Sequence, residues 1–195
     1  MSGPAYASVN GLQMYYEVHG SGPPLVLLHG GALTIGLSFG ALIPALAESH
    51  RVIAVEMQGH GHTADIGREM TPESFADDIV TLLGQLGIEQ ADLLGYSLGG
   101  CVSLEIVTRH PDLVRKLVLA STPTCRSDFA LDGQLAADRM PTAADGEEWE
   151  AEYRRIAPHP NGFADLIARA AAMVGAIEDW SPEELRARFA RPPSS

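Results

Sequence analysis

Two short, uninterrupted apolar runs constrain this chain more than any other feature: the four residues from Leu25 in PLVLLHGG, and those that follow Arg51 in RVIAVE. Each is too short for a helix, and each ends on polar residues or glycine. A strand that is apolar at every position, not at alternate ones, buries both of its faces, and strands of that kind sit in parallel sheets with helices packed on either side. The stretches between such runs carry helical periodicity instead. The resulting β, α, β, α order predicts an α/β fold built on a mostly parallel sheet flanked by helices.

Local signals fill in the order. Two strands open the chain, one near Tyr6–Val9 and one in QMYYEVH from Gln13, joined by Asn10-Gly11, a pair that accepts the positive φ of a tight hairpin. A helix is expected over roughly residues 37–49. TPESFADDIVTLLGQLGI begins with Thr71 as N-cap and Pro72 at the first helical position, and Phe75, Ile79, Leu82, Leu83 and Leu86 recur on one face. ADLLGYS is then a strand, LGGCVSLEIVTRHP a helix stopped by Pro111 with His110 placed to cap its last carbonyls, and LVRKLVLA a further strand. Beyond Ser121 only helices and loops are expected. WEAEYRRIAP is one helix, and FADLIARAAAMVGAIEDW is another, with Phe163, Leu166, Ile167, Ala170, Val174 and Ile177 on one stripe. A capping box of Ser181 and Glu184 and a short RPPSS tail follow.

At 195 residues the chain is the size of one ordinary domain with its own core. Thirteen Lys and Arg against twenty-five Asp and Glu give a formal charge of −12, which repels phosphate backbones and anionic lipid, so neither nucleic acid nor membrane is an expected partner. The N-terminus MSGPAYASVNG lacks the basic-then-apolar order of a leader, and no apolar stretch approaches the roughly 20 residues that span a bilayer; a cytoplasmic protein is the expectation. Cys101 and Cys125 fit neither a metal-ligand spacing nor a disulfide framework and read as small apolar residues. GHGHTA at Gly59–Ala64 follows a strand and matches the glycine spacing of a dinucleotide fingerprint, but the next helix starts only near Thr71, too late to present its N-terminus to a pyrophosphate. His60 and His62 lack a third ligand at a suitable spacing and read as polar loop residues, so no metal or organic cofactor is expected.

The segment GYSLGG, residues 95–100, places one hydroxyl among glycines where an apolar strand meets a helix. A chain that turns so sharply needs a strained residue at the corner and small neighbours that let strand and helix approach. Gly95, Gly99 and Gly100 give that room, Ser97 is the corner with its Oγ pushed out above the sheet edge, and the N–H of Leu98 points to the same spot from a helix N-terminus. This is the G-x-S-x-G elbow, suited to acyl transfer. Upstream, HGG at His29–Gly31 ends another buried strand, where a second N–H is available to complete an oxyanion hole.

With strand-HGG, VEMQGHGHT and GYSLGG in that order and spacing, the chain resembles the α/β-hydrolase superfamily over about residues 10–120, with a looser similarity to a helical cap beyond. The resemblance implies a hydrolase core over residues 1–120, a helical cap or lid over 121–190 and a tail at 191–195. It further implies Ser97 as nucleophile, the amides of Leu98 and Gly31 as oxyanion donors, and a small-molecule substrate. The loop after the second apolar run departs from the family's acidic-x-Arg-Gly-x-Gly form, with Glu56 where Asp is commoner and Gln58 where Arg is. A serine at the elbow argues against the relatives that open epoxides or displace halide through a carboxylate. Esters, thioesters, lactones, amides, C–C bonds next to a carbonyl and perhydrolysis remain.

A serine hydroxyl needs a histidine to take its proton and a carboxylate to orient that imidazole, and in this family the chain order is Ser, acid, His. No strand able to carry either partner is visible after Ser121. Two local substitutes exist: Asp128, in the loop after LVRKLVLA, reads better as a solvated charge, and His159 in IAPHPNG reads better as a cap-loop residue. Without a later strand, LVRKLVLA is left as an exposed apolar edge that invites self-association. The expectation is a C-terminally shortened serine hydrolase working through an acyl-enzyme on a small ester-like substrate. The competing reading is a hydrolase-like binding or scaffold protein that kept the elbow and lost acid and base.

Overall fold

The computed structural model describes residues 3–122 and 142–175, with residues 181, 183 and 186 as isolated positions. Its strands are β1 (Gly3–Val9), β2 (Leu12–His19), β3 (Pro24–Leu28), β4 (Arg51–Val55), β5 (Ala91–Tyr96) and β6 (Val114–Ala120), joined in one sheet in the order β1-β2-β4-β3-β5-β6. The first two form an antiparallel hairpin whose turn residues Asn10 and Gly11 take φ of 48° and 84°, as that dipeptide requires. Strand β2 runs antiparallel to β4, while β4, β3, β5 and β6 run parallel to one another.

Side-chain alternation sorts the two all-apolar strands into two cores. Leu25, Leu27, Val52 and Ala54 face α1 (Ile35–Phe39) and α2 (Ile43–Leu46), packing on Ile35, Phe39 and Ile43. Val26, Leu28, Ile53 and Val55 face the other way, against Phe75, Ile79, Leu82 and Leu83 of α3 (Pro72–Gln85) and Val102 and Ile106 of α4 (Leu98–Arg109). Each such buried aliphatic or aromatic side chain contributes roughly 1.5–3 kcal/mol relative to exposure, and this double burial is what the four-residue apolar runs encode.

The helices start and stop for local reasons. Thr71 accepts the Ser74 N–H at 3.1 Å and Ser74 Oγ accepts the Thr71 N–H at 3.1 Å, a reciprocal cap with Pro72 at the first helical position. The single helix expected over residues 37–49 is instead the pair α1 and α2, because Pro44 has no N–H to donate to the carbonyl four residues back. Two further helices, α5 (Ala143–Ile156) and α6 (Phe163–Gly175), lie beyond β6. On α6 the buried side is set by Leu166 and Met173, with Phe163 and Ala170 half-buried, whereas Ile167 is 41 % exposed. Position 167 lies about 100° around the helix from Leu166, so the stripe follows 163, 166, 170 and 173 and omits it. Ile177, the capping box that needs Glu184, Cys125, Asp128 and the RPPSS tail lie outside the described residues, as does the side chain of Val174.

Because β3 to β6 are parallel, the loops that leave them, at Gly30, Glu56, Ser97 and Ser121, emerge along one edge of the sheet, where sites on such sheets form. Among the described residues, strand β6 lies at the edge of the sheet. Beyond the buried Val114 its apolar residues stay near solvent, with Val118 51 % and Leu119 37 % exposed. Among the described residues no helix is long and apolar enough to cross a membrane.

Candidate active site

The corner between β5 and α4 is strained. Ser97 has φ 51° and ψ −116°, a combination that costs a residue with a side chain about 1–3 kcal/mol. Packing and three hydrogen bonds hold it there. The Ser97 N–H donates to the Ala120 carbonyl at 2.9 Å, the Gly100 N–H to the Ser97 carbonyl at 2.9 Å, and the Gly99 N–H to the His29 carbonyl at 3.0 Å. The corner is thereby tied to the end of β6 on one side and to the loop after β3 on the other. Its glycines are sterically required. A Cβ at Gly95 would lie 2.6 Å from Gly100 Cα, one at Gly99 2.8 Å from the His29 carbonyl oxygen, and one at Gly100 2.6 Å from Thr122 Cγ2.

The Ser97 residue is half-buried, and its hydroxyl makes no capping bond to α4. The Leu98 N–H opens the helix and has no acceptor within it. Through the Gly99–His29 bond, the β3 loop is drawn alongside: a Cβ at Gly31 would lie 3.7 Å from Leu98 Cδ2 and 3.9 Å from Leu98 Cβ. Three of the expected site residues, Ser97, Leu98 and Gly31, therefore converge at one edge of the sheet.

A buried imidazole fixes the β3 loop. His29 Nδ1–H donates to the Gly30 carbonyl at 2.8 Å, and Nε2 accepts the Met57 N–H at 3.1 Å. Burial, reinforced by neighbouring His60, pulls its pKa down to about 3, so the ring is neutral with its proton on Nδ1. His60, expected as a polar loop residue, is instead fully buried, 4.9 Å from His29 and edge-on to Phe75 by ring centroids. Its Nδ1–H donates to the Gln58 carbonyl at 2.9 Å, and burial lowers its pKa to about 4.

Glu56, which stands where the family more often has Asp, is the anchor of the β4 loop. Its carboxylate, 1 % exposed, accepts the His62 N–H at 2.6 Å, His62 Nδ1–H at 2.8 Å and the Ile35 N–H at 3.3 Å. Burial raises its pKa, and those three donors oppose the rise. Gly61 is needed because a Cβ there would collide with this carboxylate. The departure at Gln58 is accommodated as well. Its amide donates to Asp65 at 2.7 Å and to the Arg68 carbonyl at 2.9 Å, and it accepts from Arg68 Nε at 3.0 Å. Arg68 then forks onto the fully buried Asp78 of α3 at 3.1 and 2.5 Å.

His159 is exposed and lines a cavity of about 240 Å³ whose walls do not include Ser97; the structure does not bring the two together. Asp128 lies outside the described residues. Among the described residues no imidazole or carboxylate hydrogen-bonds to the Ser97 hydroxyl.

Comparison with known proteins bears on the family and the fold. The family described as alpha/beta hydrolase fold matches residues 23–177, and the chain belongs to it. It is 38% identical over 112 residues to a 2-hydroxymuconate semialdehyde hydrolase of Pseudomonas sp. (strain CF600), an overlap of 56% of this chain and 40% of that protein. Over 111 residues it is 34% identical to the pyrrolizixenacetamide deacetylase of Xenorhabdus hominickii, covering 57% and 42%. Among solved structures, a serine hydrolase involved in carbazole degradation superposes with a TM-score of 0.71 over 94% of this chain and 74% of its own, at 22% identity, a likeness of fold. The chain spans less than half the length of the curated relatives it matches.

Proposed function

We propose that this chain carries the nucleophile and oxyanion half of a serine hydrolase that works through an acyl-enzyme on a small ester-like substrate: an ester, a thioester, a lactone or a C–C bond next to a carbonyl. Ser97 Oγ attacks the carbonyl carbon while its proton passes to a general base. The oxyanion so formed accepts hydrogen bonds from the Gly31 and Leu98 N–H groups. Its collapse expels the leaving group, and water then releases the acid from Ser97. Each donor of this kind is worth roughly 10²–10³ in rate in a working enzyme.

The observation that carries this reading is the backbone of Ser97, held at φ 51° and ψ −116° with Gly31 packed beside Leu98. Strain of that size persists where the surroundings over-determine it, and here the surroundings leave the hydroxyl clear of any helix-capping duty. A panel of short p-nitrophenyl esters, quenched in acid and read by intact mass, tests it. An acyl adduct on the Ser97 peptide, absent from Ser97→Ala, is the expected result; equal ester turnover by the two proteins would overturn it.

One observation favours a second reading, a hydrolase-like binding protein without turnover: among the described residues nothing stands in hydrogen-bonding reach as base for Ser97. Removing the nucleophile or the histidine from a complete triad costs about 10⁶ in turnover, so the two readings are widely separated in rate.

A further inference from the structure

The cavity of about 240 Å³ lies between the β4 loop and the helical pair α5 and α6, with Gly59 and Asp65 on one side and Tyr153, His159, Gly162 and Asp165 on the other. At about 30 Å³ of liquid per water, that is room for roughly eight waters or one small organic molecule. Ser97 is not in its wall, so whatever binds here is separate from the acyl chemistry proposed above.

Tyr153 is only 6 % exposed, yet its hydroxyl has no hydrogen-bond partner among the described residues. The phenolic oxygen itself is not sealed off from solvent, so it is reached from the cavity. Its position is well defined. A Cβ at Gly162, itself part of the wall, would lie 2.9 Å from the phenolic oxygen, so the hydroxyl stands at the cavity surface and glycine gives it room. The Tyr153 ring is braced by Phe163, with centroids 5.5 Å apart. Burial first, then the negative charges of Asp65 and Asp165, raise its pKa, so the phenol is a protonated hydrogen-bond donor, and both aspartates line the same cavity.

The two carboxylates differ in what answers their charge. Asp65 accepts from Gln58 and from the Gly67 N–H at 3.0 Å and is paired with Arg169 of α6. Asp165 has no ion-pair partner among the described residues. An exposed carboxylate in the first turn of α6, without an ion-pair partner among the described residues, thus shares a small cleft with a neutral phenol donor, His159, Met70 and Leu166. A ligand matching all three features is a cation at one end, an oxygen acceptor at the other, and aliphatic between.

We propose that this cavity is an accessory site for a small organic ammonium compound, its charge against Asp165 and its oxygen accepting from Tyr153. The test is an amide NMR titration of the isotope-labelled full chain with propanolamine, cationic at neutral pH, beside n-butanol, its uncharged isostere. Propanolamine is expected to shift the amides of Gly59 and Gly162 saturably and to bind at least about tenfold more tightly than n-butanol. Asp165→Asn, on an exposed side chain, should remove most of that preference, Tyr153→Phe should weaken propanolamine severalfold while keeping the ring packing, and Ser97→Ala should bind as the wild type does. Equal response to amine and alcohol, no response to the amine, or undiminished amine binding by Asp165→Asn would each overturn the assignment. None of these readouts depends on ester turnover, so failure here and failure of the hydrolase reading are distinguishable.

Discussion

The corner at Ser97 and the β4 loop at Glu56 lie along the same edge of the sheet and differ in how their side chains are committed. The corner is held through its backbone, by hydrogen bonds and close-packed glycines, with its hydroxyl kept out of the local hydrogen bonding. The loop is held by polar saturation: Glu56, Gln58 and His29 each engage two or more partners beneath the surface. The contrast is chemically sensible. A group that must react has to remain uncommitted, and its position then has to come from its backbone and packing, while a loop that only supports it is best locked by side-chain hydrogen bonds.

Substitutions at the two places should therefore fail differently. The largest loss of stability is expected from Gly99→Ala, whose methyl would meet the backbone of the β3 loop and has no flexible side chain to displace; at least about 3 kcal/mol should be lost, read from the urea midpoint. Next comes Arg68→Ala, which leaves the fully buried Asp78 without its cation. A breakage of this type costs about 3–5 kcal/mol when both partners are buried, and the 28 % exposure of the Arg68 side chain reduces the expectation to about 2–3 kcal/mol. Equal stability of Arg68→Ala and wild type would show that the β4 loop does not rest on this pair.

Acid should act on the β3 and β4 loops through their buried imidazoles. His29 and His60 have folded pKa values of about 3 and about 4, below the unfolded value of 6.5. The unfolded chain thus binds more protons than the folded one in that window. Their contribution is fully present above pH 6.5 and is lost as pH falls toward 4, at up to about 1.4 kcal/mol per unit for each ring. Glu56, whose pKa is raised, works in the opposite sense, losing stability as pH rises through its folded value. Between roughly pH 6.5 and 5.5 the two imidazoles together account for a fall of about 2 kcal/mol, which Glu56 opposes, and His60→Asn should shallow that slope in pH-dependent urea melts. A slope unchanged in His60→Asn would remove this residue from the account.

The smallest effect on stability belongs to the β6 edge. Its exposed Val118 and Leu119 offer an apolar strand that no described strand pairs on its outer side, and two copies of the chain are expected to pair there. Val118→Lys should lower the associated fraction in light scattering while changing stability by less than about 0.5 kcal/mol. A wild-type chain that scatters as a clean monomer would contradict the pairing.

How much of this was legible in the sequence depended on range. The corner was, because a strand, a serine and three glycines within six residues define it, and so was α3, whose cap closes across Thr71 and Ser74. The two-faced burial of β3 and β4 followed from four consecutive apolar residues. What could not be seen depends on distant partners. Arg68 meets Gln58 from ten residues away and Asp78 from a different element, so nothing in the loop alone shows how the loop is satisfied. His60 looked like a solvated residue among glycines, and only the packing of α3 makes it a buried one. On α6 the expected stripe included Ile167, which is exposed, and omitted Met173, which is buried, because a hydrophobic stripe can be drawn through either until packing chooses a side. The Tyr153 cavity joins segments roughly ninety residues apart and leaves no local signature.

The claim at the centre is that packing delivers Ser97 as a reactive alcohol, and reaction of the purified full chain with a fluorophosphonate, followed by intact and peptide mass, tests it most directly. The account predicts one adduct per chain, on the peptide that carries Ser97 and missing from Ser97→Ala. A folded wild-type chain that stays unmodified, or one modified equally well without that hydroxyl, would contradict it.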